Sequence, residues 1–269
     1  MVPTSVAIAG LGTIGMKVAE ALHAGIKGME LVAVSSGGAE KAEARLAEAG
    51  ISVPVLNNED LAAAAEIIVE CAPSVAFKDI AAPALAAGRT LVTVSGAALL
   101  DAPEMVALAE KNGGKIILAT GALLGLDAVR AAAEGEIREV RMVTRKPPRS
   151  LDGAPYLAEH DIDVMALTEP LMVFEGTARE AARGFPANLN VGAALSLAGT
   201  GPDATRIEIW ADPGIERNTH TIHVDADTVR FSMTIENVPS EENPGTGQVT
   251  PLSVIATLRG IAEPLRVGT

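Results

Sequence analysis

Aromatic residues are scarce in this chain, at 2% of 269 residues, so they cannot build its hydrophobic cores. Hydrophobic residues nevertheless reach 48% and charged residues only 20%, a composition typical of a folded chain rather than a disordered one. Ala, Val, Leu and Ile must therefore fill the cores, and Ala-rich stretches predict helices packed closely on a sheet. The length suits two modest domains.

Cysteine and basic residues are also few. Cys71 is the single cysteine, which excludes an internal disulfide, and its place at the end of an apolar run predicts a buried, inert thiol. The scattered Cys and His residues form no ligand pattern, so no metal site is expected. The net charge is -13, and without a basic block to offset it this charge excludes nucleic acid as the expected partner.

The sequence contains no run of about 20 apolar residues, so a membrane span is not expected. The N-terminus has no basic segment typical of a signal peptide and leads directly into a fold motif, so we expect a cytoplasmic protein. A Gly-x-Ser-x-Gly nucleophile elbow is also missing, and hydride chemistry with a histidine as acid or base fits better than nucleophilic catalysis.

Apolar runs alternate with helical periodicity through residue 120, which predicts an α/β domain with a doubly wound parallel sheet of the Rossmann type. The predicted strands are 5–10, 30–34, 53–56, 67–71, 90–95 and 115–120. The predicted helices are 13–25, 39–49, a helix capped by Asn58 through Ala65, a helix capped by Ser74 that ends at Gly88, and 103–112.

The pattern changes after about residue 136, where alternating segments predict a smaller α+β domain with a mostly antiparallel sheet. The predicted strands are 137–147, 170–178, 205–213, 219–226 and 228–237, with a helix at 185–199 capped by Asn188 or Asn190. A last helix at 250–261 is expected to return to the first domain. We therefore predict a dinucleotide-binding domain of residues 1–123 with 249–269, and a catalytic and dimerisation domain of residues 124–248.

A glycine-rich turn follows the first predicted strand and opens the first predicted helix. Gly10 permits the tight turn, Gly12 lets the backbone approach a pyrophosphate, and Gly15 lets the helix pack on the strand. Thr13 and Ile14 begin the helix, whose free N–H groups favour an anion. The context of this motif predicts binding of NAD or NADP.

The second predicted strand ends at Ser35, where an acidic residue usually accepts a hydrogen bond from the 2′-hydroxyl of NAD. A small hydroxyl there tolerates a 2′-phosphate. Lys41 and Arg45 are either ligands for that phosphate or ordinary solvated charges of a helix. The choice between NAD and NADP therefore stays open at this point.

Loops at the carboxyl ends of parallel strands border a cofactor crevice, so the segment with Ala72 and Pro73 is predicted to contact the cofactor. The segment 120–125 has the same setting at the domain crossover. Gly121 and Ala122 are candidates there, because small residues allow a nicotinamide to approach closely, and the larger Leu124 in the same loop is a further candidate.

His220 is the candidate catalytic residue. In a strand, Asn218, His220 and Ile222 share one face while His223 faces the other way. If Ile222 points inward, a polar pair of Asn218 and His220 lies beside it, and such a pair is more typical of a site than of a core. An imidazole with a pKa of about 6.5 suits proton transfer near neutral pH.

Several long motifs make the chain resemble the L-aspartate dehydrogenase family over nearly its whole length. They are GLGTIG at 10–15, TGALLGLDA at 120–128, VTRKPPRSL at 143–151, VFEGTAREAARGFPANLNVGAALSLAG at 173–199, ADPGIERNTHTI at 211–222 and ENVPSEENPGTG at 236–247. The resemblance implies NAD(P)-dependent oxidation of L-aspartate to iminoaspartate, which hydrolyses to oxaloacetate and ammonia or feeds NAD biosynthesis.

The resemblance also implies site residues. His220 matches the active-site histidine of the family, and Asn188 or Asn190 matches a contact to the nicotinamide. Lys146 and Thr246 are candidates for binding the substrate carboxylates, with Arg145 and Arg217 as further candidates. Three positions depart from the expected pattern: Leu124 replaces a small residue, Ser35 an acid and Gly245 a lysine.

Two alternatives stay open from the sequence. The first is a related amine or imine oxidoreductase acting on another small acid, which the changes at Leu124 and Gly245 suggest. The second is a non-catalytic NAD(P) sensor, which would not need the polar pair of Asn218 and His220. Alternating segments such as 228–235 leave one sheet face without a known partner, so we expect a homodimer.

Overall fold

The computed structural model describes residues 2–186, 189–240, 242 and 246–268. The chain divides into two compact units. The first comprises residues 1–119 and 250–266, and the second comprises residues 120–249 and 267–269. Among the described residues, none of the helices is long and apolar enough to cross a membrane.

The first unit contains a parallel sheet of five strands in the order β2-β1-β3-β4-β5. The strands are β1 (Thr4–Ala9), β2 (Met29–Ser35), β3 (Ile67–Glu70), β4 (Thr90–Thr93) and β5 (Lys115–Leu118). The helices are α1 (Thr13–Gly25), α2 (Ala39–Glu48), α3 (Asn58–Ala64), α4 (Phe77–Ala86), α5 (Gly96–Leu100) and α6 (Glu104–Asn112), and α11 (Val249–Ala262) packs here as well. The predicted doubly wound fold is confirmed.

Hydrophobic cores cover both faces of this sheet. Val6 and Ile8 of β1 belong to one core, to which α11 contributes Val254 and Leu258. Ala7 and Ala9 belong to the core on the other face. Burial on both faces explains why the strands are continuous apolar runs. The alanines let helices approach closely, as their abundance predicts.

Three local predictions for this unit were wrong. Residues 53–56 form no strand, since Val55 makes only an isolated bridge to Val34. The cap of α3 is Asn57, whose side chain accepts from the Asp60 N–H, rather than Asn58. Ser74 does not cap a helix with its side chain, because it lies in a 3₁₀ turn, Ser74–Ala76, that leads into α4.

The second unit contains a sheet in the order β10-β9-β6-β8-β7. Its strands are β6 (Ile137–Lys146), β7 (Leu171–Thr177), β8 (Arg206–Ala211), β9 (Asn218–Ala226) and β10 (Arg230–Asn237), and its helices are α7 (Leu126–Ala132), α8 (Pro155–Glu159), α9 (Ala178–Gly184) and α10 (Asn190–Ala198). Three of the four strand pairs are antiparallel, and only β6 and β8 are parallel. The predicted mostly antiparallel sheet is confirmed.

The helix predicted at 185–199 begins only at Asn190, and a separate helix that was not predicted, α9, precedes it. Thr177 and Glu180 form a capping box that starts α9, which ends before Phe185. Phe185 precedes Pro186, and the residue before a proline is disfavoured in helical conformation. Helix α10 then begins at Asn190 with Leu189 at the cap position and no side-chain cap, so Asn190 is not the predicted cap. Asn188 lies outside the described residues.

Candidate active site

The glycine turn between β1 and α1 has the geometry of a phosphate cradle. Gly10 has a φ of +93°, and a Cβ there would lie 2.7 Å from the backbone nitrogen of Ala72. A Cβ on Gly15 would lie 1.9 Å from the carbonyl oxygen of Gly10. By contrast, a Cβ on Gly12 would meet nothing within 4 Å. Gly10 and Gly15 are therefore required by the fold, whereas Gly12 borders open space.

The amino end of α1 completes this cradle. Gly12 occupies the cap position without a side-chain cap, and Thr13 and Ile14 form the first turn. Such a helix terminus carries partial positive charge and suits a pyrophosphate. The residues present therefore fit a dinucleotide, as the sequence predicts.

The ribose end of the crevice differs from the sequence expectation in detail. Ser35 is buried, and its hydroxyl donates to Oδ1 of Asn58 at 2.8 Å. Arg45 donates from Nη1 to the carbonyl oxygen of Leu11 at 2.9 Å, so its guanidinium lies beside the glycine turn. Lys41 is exposed. Of the two basic candidates, Arg45 is the one that contacts the cofactor-binding turn.

A buried carboxylate lies at the carboxyl ends of β3 and β4. Oε1 of Glu70 accepts from the Ala72 N–H at 3.0 Å and from the Ser95 hydroxyl at 3.1 Å, and Oε2 accepts from the Thr93 hydroxyl at 2.5 Å. Burial raises the pKa of this carboxyl group above its usual value, and the same hydrogen bonds oppose that rise. Ala72, with Pro73 next to it, is thereby fixed against the glycine turn.

The candidate catalytic face lies on the buried side of the second sheet. Burial alternates strictly along β9, with Asn218, His220 and Ile222 buried and His223 half-buried. The predicted orientation of these residues is confirmed. In the neighbouring strand Thr144 pairs with His220, and its hydroxyl lies 3.0 Å from Nδ1 of the imidazole.

Lys146 shares this face, because it lies two residues beyond Thr144 on β6, and only 3% of its surface is exposed. Burial lowers the pKa of its ammonium group to about 8. Burial, and secondarily the charge of Lys146, lowers the pKa of His220 to about 3. His220 is therefore neutral at neutral pH, and its pKa lies well below the value of about 6.5 of an unperturbed imidazole.

The loop 120–125 is attached to the same sheet. Nδ2 of Asn237, at the end of β10, donates to the carbonyl oxygen of Ala122 at 3.0 Å. Asn237 pairs directly with Asn218 of β9. The predicted nicotinamide loop thus lies one strand pairing away from the catalytic face. Leu124 of this loop is 48% exposed and occupies no core position.

Thr246 lies close to this loop attachment. Its carbonyl oxygen accepts from the Ser240 N–H at 2.8 Å, and a Cβ on the adjacent Gly247 would lie 3.3 Å from Cβ of Asn237. Thr246 is half-buried. Gly245, one of the departures from the expected pattern, lies outside the described residues.

Arg145 points away from the candidate site. It pairs with Asp212 at 3.2 Å, and its guanidinium lies 4.6 Å from the ring centre of Trp210. Since Arg145 and Lys146 are consecutive residues of one strand, they occupy opposite faces. Lys146 is the basic residue of this pair that belongs to the candidate site.

Sequence reasoning missed three residues that complete these sites: Glu70, Thr144 and Asn237. Thr144 and Lys146 lie two residues apart on β6, as Asn218 and His220 do on β9, so strand alternation could have indicated that each pair shares a face. The cross-strand register that brings the two pairs together cannot be deduced from such a local pattern. Asn190 opens α10, where a Cβ on Gly192 would lie 2.9 Å from the end of the Met142 side chain on β6.

The first unit contains a parallel sheet with an open glycine turn of the kind that binds a dinucleotide, and the second unit contains a buried histidine and a buried lysine on one sheet face. Together they define a nicotinamide-dependent oxidoreductase. Residues 10–119 match the family model described as the NAD binding domain of homoserine dehydrogenase, and residues 127–261 match that described as the C-terminal domain of aspartate dehydrogenase.

Relatives that are named L-aspartate dehydrogenase match nearly the whole chain. The chain is 55% identical to an L-aspartate dehydrogenase of Bradyrhizobium diazoefficiens, over 98% of this chain and 94% of the relative. It is 51% identical to L-aspartate dehydrogenase 3 of Bordetella bronchiseptica, over 98% and 97%. The chain therefore belongs to the L-aspartate dehydrogenase family.

A solved structure of aspartate dehydrogenase from Thermotoga maritima shares the fold. Its TM-score is 0.76 at 23% identity, and the match covers 98% of this chain and 99% of that chain. At this identity the likeness concerns the fold alone.

Proposed function

We propose that this enzyme oxidises L-aspartate at Cα with NAD⁺ or NADP⁺, and that the iminoaspartate formed hydrolyses to oxaloacetate and ammonia. The observation that carries the proposal is the buried face that holds His220, Lys146 and Asn218 together. The named relatives, at up to 55% identity across almost the whole chain, support aspartate as the substrate.

Each side chain of the candidate site has a role in this proposal. Lys146 pairs with a substrate carboxylate, and Thr246 binds a second carboxylate oxygen. Thr144 holds Nδ1 of His220, so Nε2 is the atom that accepts a proton from the substrate amine or from the water that attacks the imine. Asn218 orients the substrate beside His220. The nicotinamide, when bound, accepts the hydride from Cα.

The charge of Lys146 couples substrate binding to proton transfer. In the free enzyme this charge contributes to the low pKa of His220. A substrate carboxylate that pairs with Lys146 offsets this repulsion, so the pKa of His220 rises when aspartate binds. His220 then becomes a stronger base in the complex that reacts.

For the cofactor we propose that Gly10, Gly12 and Gly15 with the amino end of α1 would hold the pyrophosphate, and that Ala72 and Pro73 would lie beside it. In the second unit, Gly121, Ala122 and Asn190 are the residues proposed to contact the nicotinamide. Ser35 places no charge near the ribose, so both cofactors are accepted. We also propose a homodimer, since Phe231, Met233 and Ile235 of the edge strand β10 are only half-buried.

The test is a matched pair of variants. General acid–base catalysis contributes about 10²- to 10⁴-fold, so His220→Ala should lower kcat for aspartate by roughly that factor. His223→Ala, on the opposite face of β9, should change kcat little. Initial rates with several amino acids, and with 2-oxo acids plus ammonia, would be measured with both cofactors. A wild-type preference for another amino acid would contradict the substrate assignment, and a damaging His223→Ala would contradict the role of His220.

A further inference from the structure

Glu70 is a buried acidic residue that the proposed chemistry leaves without a role. Its side chain is fully buried at the carboxyl end of β3. Burying a charge is costly unless hydrogen bonds compensate for lost hydration. The Ala72 N–H and the hydroxyls of Thr93 and Ser95 provide such bonds, so the position is built to hold a polar group.

The hydrogen-bond directions favour the ionised form of this carboxyl group. The Ala72 N–H can only donate, and it donates to Oε1. The Thr93 oxygen already accepts from the Ser95 N–H at 3.0 Å, so its own hydrogen is available to Oε2. The hydroxyl of Ser95 donates to Oε1 as well. A carboxylate, which only accepts, satisfies all these donors.

The sheet order places this charge on one side of the cofactor crevice. The order β2-β1-β3 puts the crossover between β1 and β3, and dinucleotides bind across that point. The adenosine ribose is recognised at the end of β2 and the pyrophosphate at the turn after β1. The ends of β3 and β4, which Glu70 joins, therefore lie on the nicotinamide side.

We infer that the buried carboxylate of Glu70 shifts the binding preference of the enzyme toward the oxidised cofactor. The nicotinamide ring is cationic in NAD(P)⁺ and neutral in NAD(P)H, so a nearby anion stabilises only the oxidised form. The same carboxylate fixes the Ala72 backbone against Gly10, which orients the crevice for both forms. Weaker binding of the reduced form favours its release after aspartate oxidation.

The experiment measures dissociation constants without substrate. NAD(P)H is titrated by its fluorescence and NAD(P)⁺ by calorimetry, on wild type, Glu70→Gln and Glu66→Gln. Glutamine keeps the size of Glu70 and an acceptor oxygen for Ala72 and Ser95. Glu66→Gln is the matched control, because it removes an acidic side chain just before the other end of β3, where Glu66 binds Ser5.

In Glu70→Gln, the Kd for NAD(P)⁺ should rise by roughly three- to tenfold relative to that for NAD(P)H, the effect of one unit charge acting through partly hydrated protein. Glu66→Gln should leave the ratio of the two constants unchanged. A second variant, Glu70→Asp, retains the charge and should keep the preference for the oxidised form even if both constants rise.

An equal change in both constants in Glu70→Gln would overturn the inference, because it would indicate a purely structural role. Loss of the preference in Glu70→Asp would do the same. The inference rests on the cofactor part of the proposed function, and a wild type that binds no dinucleotide would overturn both. A different amino-acid substrate would leave these constants untouched, so the two failures are distinguishable.

Discussion

At the scale of single residues, the proposed chemistry depends on a lysine and a histidine that share one buried sheet face. Lys146 is removed from water by the fold, which lowers its pKa to about 8. His220 is equally buried, and its pKa falls to about 3. Desolvation disfavours both charged forms, and the charge of Lys146 lowers the pKa of His220 further. A substrate with two carboxylates supplies the compensating charge.

Lys146→Met tests this coupling directly. Methionine fills a similar volume without the charge, so the pKa of His220 should rise while remaining below 6.5, because burial, the larger cause, persists. The imidazole titration would be followed by NMR in wild type and variant. The KM for aspartate should increase at the same time, since a carboxylate loses its partner. A His220 pKa that does not move would show that the two side chains are not coupled.

The individual site residues were predictable to different degrees. Strand alternation sufficed for Asn218, His220 and Ile222, because the period of two is local. The contact between Thr144 and His220 depends on the register between two strands 76 residues apart in sequence, which no local pattern specifies. The low pKa of His220 was also not predictable, since burial depends on the complete fold.

At the scale of elements, the glycines of the turn between β1 and α1 meet two different requirements, close packing of the helix and room for a ligand. Gly15 lies where the helix meets the preceding backbone, and a Cβ there would overlap the Gly10 carbonyl. Gly12 faces open space. Gly15 therefore serves the packing of the helix, and Gly12 leaves space for a ligand to approach.

Two substitutions distinguish these roles. Gly12→Val should keep the thermal midpoint close to that of the wild type and abolish binding of NAD(P)H, because the valine fills the space that the pyrophosphate needs. Gly15→Ala should lower the midpoint clearly, because helix and strand must separate. Differential scanning calorimetry and fluorescence titration provide the two readouts. The assignment would be wrong if Gly12→Val bound the cofactor with wild-type affinity.

Long periodic helices were predicted closely, whereas several short helices were not predicted. Helix α1 spans the predicted residues 13–25 because its apolar face repeats over three turns. Helices α5, α7, α8 and α9 have five to seven residues each, too few for a period to emerge. The non-helical segment before α10 results from Pro186, which disfavours a helical conformation at Phe185. Apolar spacing alone does not reveal this effect.

At the scale of the whole molecule, the fold class followed from the change in sequence pattern near residue 136. A parallel sheet with both faces covered gives uninterrupted apolar strands, and a sheet with one exposed face gives alternating ones. Both patterns extend over many residues, so isolated errors such as the strand at 53–56 did not alter the result. Buried titratable groups of the second unit, by contrast, add a pH-dependent contribution to the free energy of unfolding.

The protonation of His220 makes the free energy of unfolding depend on pH. Its pKa is about 3 in the folded chain against 6.5 for an ordinary histidine. Between these values the unfolded chain binds more protons than the folded one, so stability rises with pH across this window and is lost as the pH falls. One proton corresponds to a slope of about 1.4 kcal/mol per pH unit. The raised pKa of Glu70 acts in the opposite direction above pH 4.5.

A comparison of variants separates the contribution of His220 to the pH dependence of stability from that of Glu70, because every variant retains Glu70. Urea unfolding of wild type, His220→Gln and His223→Gln would be measured at half-unit steps between pH 4 and pH 7. The slope of stability against pH should be smaller in His220→Gln, because the unfolded variant lacks the proton that the wild type takes up. His223→Gln, on the other face of β9, should retain the wild-type slope. Equal slopes in wild type and His220→Gln would mean that folding does not lower the pKa of His220, which would contradict the effect of burial described here.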